Sequence, residues 1–503
     1  MQDKTTRRQF LKVAGISAGS FAFLKNVPPG SAQEAKVTPA LVRLGAGIEP
    51  LVRLIEDTPQ AELLEQVAQR IHQGATYQQV VAALFLAGVR NIAPRPNVGF
   101  KFHAVMVVNA AHQESLASPE TDRWLPIFWA LDEFKKSQAM EQKDSGWRMA
   151  PVNESIVPPP HKAKEAFITA MENWDEKNAD AAVAGLVRSA GANEIYELFY
   201  RFGARDFRSI GHKAIFVGHS WRLLQFIGWQ HAEAVLRSLA YACLNHDVKN
   251  STPALSDQLA DRPWRRNQKL VASMGPAWMS GKLDDGATRD MLAVLRQGSS
   301  EEACDKAVAL INHGVSPHSI WDALFVAASE IVMRQPNVPN VHSMSSANAL
   351  RYAFQASGDD VTRKLLLLQD CAFITLFRDA VRGKVADVRI EDVKPLAVKE
   401  SGGALEEIFS EVGRDRMSAA KKIHHYLSNG GSPQDLMNAA RRLVFLKGRD
   451  AHDYKYSCAI LEDYFKVSPA WRAQFLAASS FYLKGSGEKD NVLVQRTRAA
   501  MKL

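Results

Sequence analysis

The stretch Asn312–Phe354, NHGVSPHSIWDALFVAASEIVMRQPNVPNVHSMSSANALRYAF, has a near copy at His72–Gln113, HQGATYQQVVAALFLAGVRNIAPRPNVGFKFHAVMVVNAAHQ. Gly74 answers Gly314, Ala83-Leu84-Phe85 answers Ala323-Leu324-Phe325, and Pro96-Asn97-Val98 answers Pro336-Asn337-Val338. After a gap of one residue, His103 answers His342 and Asn109 answers Asn348. Internal self-similarity is a statement about architecture, because each repeat has to bury its apolar face against a neighbour.

Two further units become visible once the first pair is aligned. GATYQQVVAALF leads to His103, GANEIYELFYRF to His212, GVSPHSIWDALF to His342, and GSPQDLMNAARR to His452. From Gly74, Gly191, Gly314 and Gly431 the distances to the histidine are 29, 21, 28 and 21 residues. That long-short alternation predicts a two-unit block duplicated once. The entry segments of units two and four, AKEAFITAMENWDEKNADAAVAGLV and GALEEIFSEVGRDRMSAAKKIHHYL, also match.

Apolar residues recur at spacings of three and four almost throughout, so the expected fold class is all-α. The expected layout is four His-bearing units in two halves related by a pseudo-twofold axis, 33–265 and 266–503. Thr58-Pro59, Ser316-Pro317 and Ser432-Pro433 read as capping hydroxyls before a helix-starting proline. Thr76 with Gln79, and Ser432 with Asp435, have reciprocal capping spacing. Gly74, Gly191, Gly314 and Gly430-Gly431 are expected to stop the preceding helices in left-handed backbone.

Residues 1–32 read as an address. Thr5-Thr6-Arg7-Arg8-Gln9-Phe10-Leu11-Lys12 precedes a weakly apolar run to Leu24, with small residues at Gly30-Ser31-Ala32. This resembles a twin-arginine (Tat) export signal. It implies the Tat machinery as a partner, a periplasmic destination, and folding in the cytoplasm, where a cofactor could be loaded. The apolar run is too short for a permanent membrane span. Net charge is +8, of which Lys4, Arg7, Arg8, Lys12 and Lys25 with Asp3 contribute +4. The remainder is too weakly basic to point to nucleic acid. Cys243, Cys304, Cys371 and Cys458 are scattered and form no CxxC, so buried free thiols are expected.

The candidate chemistry lies in the four corresponding histidines. Neutral imidazole is a ligand for iron, copper and zinc. If pseudo-symmetry brings His103, His212, His342 and His452 to the axis, they form a metal site, and two facing rings could instead hold a non-covalent haem. His219 follows His212 by two helical turns, and Tyr454 and Lys455 follow His452 directly. These three are expected as catalytic helpers in proton transfer or anion holding. Asn109 and Asn348 point away from their histidines and are expected to fasten helices, and Arg123 and Arg363 correspond in the same structural sense. The competing reading makes each histidine a buried ring pinning its helix. No GxSxG, P-loop, GxGxxG, HExxH or CxxCH occurs.

Residues 211–246, GHKAIFVGH followed by EAVLRSLAYACLNH, resemble the questin-oxidase-like family over 36 of the 503 residues. The resemblance rests on Gly211, His212, Gly218 and His219. It implies a mostly helical oxidoreductase acting on aromatic polyketide-type substrates. The leading expectation is thus an exported metal- or haem-dependent oxidoreductase for a small molecule. The alternatives are a periplasmic helical-repeat binding protein and a metal-free His/Tyr lyase or isomerase.

Overall fold

A computed structural model describes residues 41–96, 98–247, 253–398 and 403–502. The expected export signal, the first residues of the expected N-terminal half and Asn97 lie outside the described residues. Within them the chain is all-helical, with 22 α-helices and no β-strand.

The first five helices are α1 (Glu49–Asp57), α2 (Gln60–His72), α3 (Tyr77–Asn91), α4 (His103–Leu116) and α5 (Leu125–Asp144). Six follow: α6 (Pro160–Glu172), α7 (Glu176–Val187), α8 (Ala192–Ala204), α9 (His212–Ile227), α10 (Ala232–Cys243) and α11 (Arg262–Leu270). The next five are α12 (Asp285–Gln297), α13 (Ser300–Asn312), α14 (Pro317–Arg334), α15 (Val338–Ala356) and α16 (Asp360–Ala380). The last six are α17 (Ala404–Val412), α18 (Arg416–Ser428), α19 (Pro433–Lys447), α20 (Ala451–Asp463), α21 (Pro469–Ala478) and α22 (Leu493–Met501). Neighbours recur in the same order: α1 packs on α3 as α12 packs on α14, α4 on α5 as α15 on α16, and α6 on α7 as α17 on α18.

Four helices form the centre. Helix α4 packs on α9, α9 on α15, α15 on α20, and α20 back on α4. Two of these contacts, α9 with α15 and α20 with α4, join the early helices to the late ones. Helix α4 buries Ala104–His112 and α9 buries His212–Leu224 without a break, as expected for helices surrounded by protein on every side. They run in the same direction. Arg222, ten residues after His212, donates to Glu462, ten residues after His452, at 2.8 and 3.0 Å. Asn348, six residues after His342, donates to Glu462 and Asp463 at 2.9 Å. The N-termini of four parallel helices therefore meet at one end.

Local signals account for most boundaries. Thr76 and Gln79 form the expected capping box, and Ser316 and Ser432 accept from His318 and Asp435 backbone N–H. Gly74, Gly314 and Gly430 have φ of 106°, 86° and 83°. Two expectations fail. Thr58 makes no capping bond, because the extended Pro59 is the residue that precedes α2. Gly191 is not a left-handed stop: at φ −73° and ψ 149° it is the extended N-cap of α8. None of the four cysteines is paired, and three are buried. Among the described residues no helix is long and apolar enough to cross a membrane.

Two buried rings make the fold acid-sensitive. His112 accepts or donates at 3.2 Å with Tyr77 Oη, and burial lowers it from 6.5 to about 4. His219 is lowered to about 3 by burial, with the Arg222 charge adding to it. Both stay neutral in the fold and protonate in the unfolded chain. Their contribution is complete above pH 6.5 and drains as pH falls towards 4 and then 3. The expected loss is roughly 3 kcal/mol or more per ring. Urea midpoints should be level from pH 7.5 to 6.5 and fall from there to pH 4, and a midpoint flat down to pH 4 would contradict this.

Candidate metal centre

All four histidines sit in the first turn of a central helix, or within its first five residues. His103 and His212 open α4 and α9, His452 is second in α20, and His342 is fifth in α15. Their rings form a closed square. Ring centroids lie 4.8 Å apart for His103–His212, 4.4 Å for His212–His342, 4.9 Å for His342–His452 and 4.4 Å for His452–His103. The His103–His342 diagonal is 5.9 Å.

Hydrogen bonds at the outer nitrogens decide what the inner nitrogens can do. Nδ1 of His103 lies 3.1 Å from Phe100 O, Nδ1 of His212 2.5 Å from Ser209 O, and Nδ1 of His342 2.7 Å from Val338 O. His452 Nδ1 meets the Asp450 carboxylate. Carbonyl and carboxylate oxygens only accept, so each Nδ1 carries the proton and each Nε2 presents a lone pair. His103 Nε2 and His212 Nε2 face each other at 2.8 Å. Nε2 of His342 and of His452 is buried with no hydrogen-bond partner. Inward lone pairs with donors fixed behind them are how metal-ligating histidines are held. A shared cation satisfies facing lone pairs that otherwise repel.

Backbone strain aims two of these carbonyls. Phe100 has φ 42°, and Ser209 and Ile210 have φ 55° and 45°. For a β-branched residue such as Ile210 this is a costly conformation, on the order of 1–3 kcal/mol. In both units the strained residue lies two or three positions before the histidine. Phe100 O and Ser209 O are the atoms their rings bind.

The electrostatics favour neutral rings. Burial, with the Lys455 charge next, drives His103 and His212 well below 6.5. Burial and the neighbouring His212 do the same for His342. His452 is lowered by burial, and Asp450 partly offsets that. Burial pushes Asp450 up, but the His452 hydrogen bond and charge outweigh it and hold the carboxyl at about 2. Neutral imidazole is the metal-binding form, so protons compete weakly here.

Outside the rings lies a cavity of ≈ 500 Å³. Gly99, Phe100, Ile210, Val338, Pro339 and Ala451 give it an apolar wall, and Glu133 and Asp450 add two carboxylates. Phe100 stands at its edge, 74% exposed.

Of the expected helpers, Lys455 is the one that acts on all four rings. Its Nζ is buried without a hydrogen-bond partner, its charge depresses all four rings, and burial lowers it to about 7. His219 does not line the cavity. Two turns place it about 10 Å further along α9, where its Nδ1 meets Met106 O at 2.9 Å. Tyr454 also turns away, its ring 4.4 Å from that of Trp129. Asn348 fastens α15 to α20, as expected, whereas the buried amide of Asn109 has no partner. Arg123 stacks over Tyr77 and Arg363 donates to Ser357 O, both structural contacts. Sequence reading missed Glu133 and Asp450. Asp450 left a signal, an Asp two residues before His452 in a helix-starting position, whereas Glu133 left none.

Fold and site together define an all-helical protein with a histidine centre where four parallel helices begin. No family model, curated protein or solved structure matches the chain.

Proposed function

We propose that the chain is a metal-dependent oxidoreductase, exported to the periplasm, whose metal is held among His103, His212, His342 and His452. One observation carries the metal reading: His103, His212 and His342 bring ligand nitrogens within 4.8 Å of one another beside the unpartnered Nε2 of His452, while every Nδ1 is tied to an acceptor behind it. The set is all nitrogen, which suits iron, copper or zinc and excludes hard cations that require oxygen. Facing Nε2 atoms at 2.8 Å favour a single ion over haem, because a haem iron between two rings needs about 4 Å from N to N with ~2 Å bonds. No thiolate lies among the ligands, and the positive ends of four helix dipoles meet there. That positive charge, partly offset by the Asp450 carboxylate behind His452, favours the lower oxidation state of a redox metal. The twin-arginine signal expected in residues 1–32 accords with loading before export. The apolar cavity accords with a small-molecule substrate.

Metal analysis of protein purified without chelator, with its redox state followed by electron paramagnetic resonance, tests the proposal. The expected result is one iron or copper per chain that cycles between two oxidation states. Stoichiometric zinc would keep the metal and remove the redox claim. Absence of any metal would favour the second reading, metal-free proton transfer. That reading draws on Lys455, whose buried and unpartnered amine is lowered to about 7 and so exchanges a proton near neutrality.

A further inference from the structure

The four rings are not equivalent. The nitrogens of His103, His212 and His342 lie within 4.8 Å of one another, and His452 is outside that group. Its ring neighbours those of His103 and His342. The other three rings are each held by a backbone carbonyl, whereas His452 is held by a side-chain carboxylate. Asp450 has a second task as N-cap of α20, where its Oδ1 accepts from the His452 backbone N–H at 2.8 Å. Its side chain is 57% exposed and stands in the cavity wall. All four rings line the cavity, and the Asp450–His452 pair is the one that brings a partly exposed carboxylate to it.

We propose that His103, His212 and His342 are the permanent ligands of a single ion, and that its cavity-facing position stays open. In this arrangement the open position takes water or an oxygen atom of the substrate, and His452 Nε2, fixed by Asp450, accepts a hydrogen bond from it. This inference rests on the metal reading above. Three protein ligands with one exchangeable position is how reactive centres are built, whereas four protein ligands close a centre. A cavity of ≈ 500 Å³ leading to the rings has a use only if something from it reaches the ion. A carboxylate behind the ring strengthens Nε2 as an acceptor more than a carbonyl does. His452 is then a substrate-contacting residue, and Asp450 a positioning residue acting through it.

Cobalt(II) loading of the apo-protein separates the roles, with visible absorption reporting the ion's coordination and azide as the exogenous ligand. Azide carries no proton to donate, so it replaces a bound water only by losing the bond to His452. His212→Ala and His342→Ala should weaken cobalt binding by ~100-fold or more, while His452→Ala should stay within about 10-fold of the parent. His452→Ala should bind azide about 10-fold more tightly. Asp450→Asn keeps the helix cap, and it should keep cobalt and move azide affinity in the same direction by less. Circular dichroism checks that each variant folds. If His452→Ala loses cobalt as severely as His212→Ala, the centre is a closed four-histidine site and the proposal is overturned. If it keeps cobalt with azide affinity unchanged, His452 does not touch the open position and the proposal also falls. A parent protein that takes up no cobalt would refute the metal reading itself, a different result from either.

Discussion

Alanine at position 212 is expected to abolish stoichiometric metal binding while the helical circular dichroism signal stays within a few per cent of the parent. The His212 ring takes part in two contacts with opposite consequences. Its Nδ1 donates to Ser209 O at 2.5 Å, a bond that positions the ring and helps hold the strained Ser209-Ile210 backbone. Its Nε2 faces His103 Nε2 at 2.8 Å, which without a shared cation sets two lone pairs against each other. Deleting the ring loses the first contact, worth about 1 kcal/mol, and relieves the second. Helix α9 does not depend on it, being anchored by fully buried Ile215, Phe216 and Leu223. The apo-protein should therefore lose little stability, about 1–2 kcal/mol by urea titration. Metal affinity should fall ~100-fold or more, since one of three converging nitrogen ligands is gone and the Asp450 carboxylate is already engaged by His452. A variant that unfolds while its folded fraction still carries the parent's metal content would show His212 to be a structural ring only.

How far the centre could be read from sequence depends on which residues are considered. The helices were legible because capping and apolar spacing act locally: Thr76 with Gln79 and Ser432 with Asp435 need only a few residues of context. The alignment of His103 with His342 pointed to shared position, and their rings do lie 5.9 Å apart. Depth along a helix was not legible in the same way. His219 shares a face with His212, but two turns carry it past the site to Met106 O. Tyr454 and Lys455 are adjacent in sequence, yet Lys455 acts on the rings while Tyr454 packs against Trp129 from α5. Glu133 was invisible because its place on the cavity wall depends on how α5 packs beside α4, a contact with no short-range signature. The strained backbone at Phe100 and at Ser209-Ile210 was invisible for the opposite reason. Nothing in those residue types asks for positive φ, so the conformation is imposed by tertiary packing.

Gly211→Ala is expected to be among the most damaging single-methyl additions in the molecule. Gly211 precedes His212 with φ +78°, a conformation that costs an alanine about 1–2 kcal/mol by itself. An added Cβ would also sit 2.0 Å from Ser346 Oγ and 3.0 Å from Ser346 Cβ, on helix α15 across the centre. The Ser346 hydroxyl is buried with no partner, so it has nothing to lose by removal. Alanine at 211 must push α9 off α15 or rotate Ser346, and overpacking of that kind adds about 1–3 kcal/mol. The total expected loss is ~3 kcal/mol or more in urea unfolding, with metal affinity falling ~10-fold or more because His212 moves with its helix. Ser346→Ala alone should stay within about 1 kcal/mol of the parent. Combined with Gly211→Ala it should recover about 1 kcal/mol, since the closest contact goes while the Cβ contact and the positive φ remain. A Gly211→Ala protein as stable as the parent, or a double variant no better than Gly211→Ala, would mean that α9 and α15 do not approach this closely. The two helices that carry His212 and His342 would then lack the tight contact that brings those rings within 4.4 Å of each other.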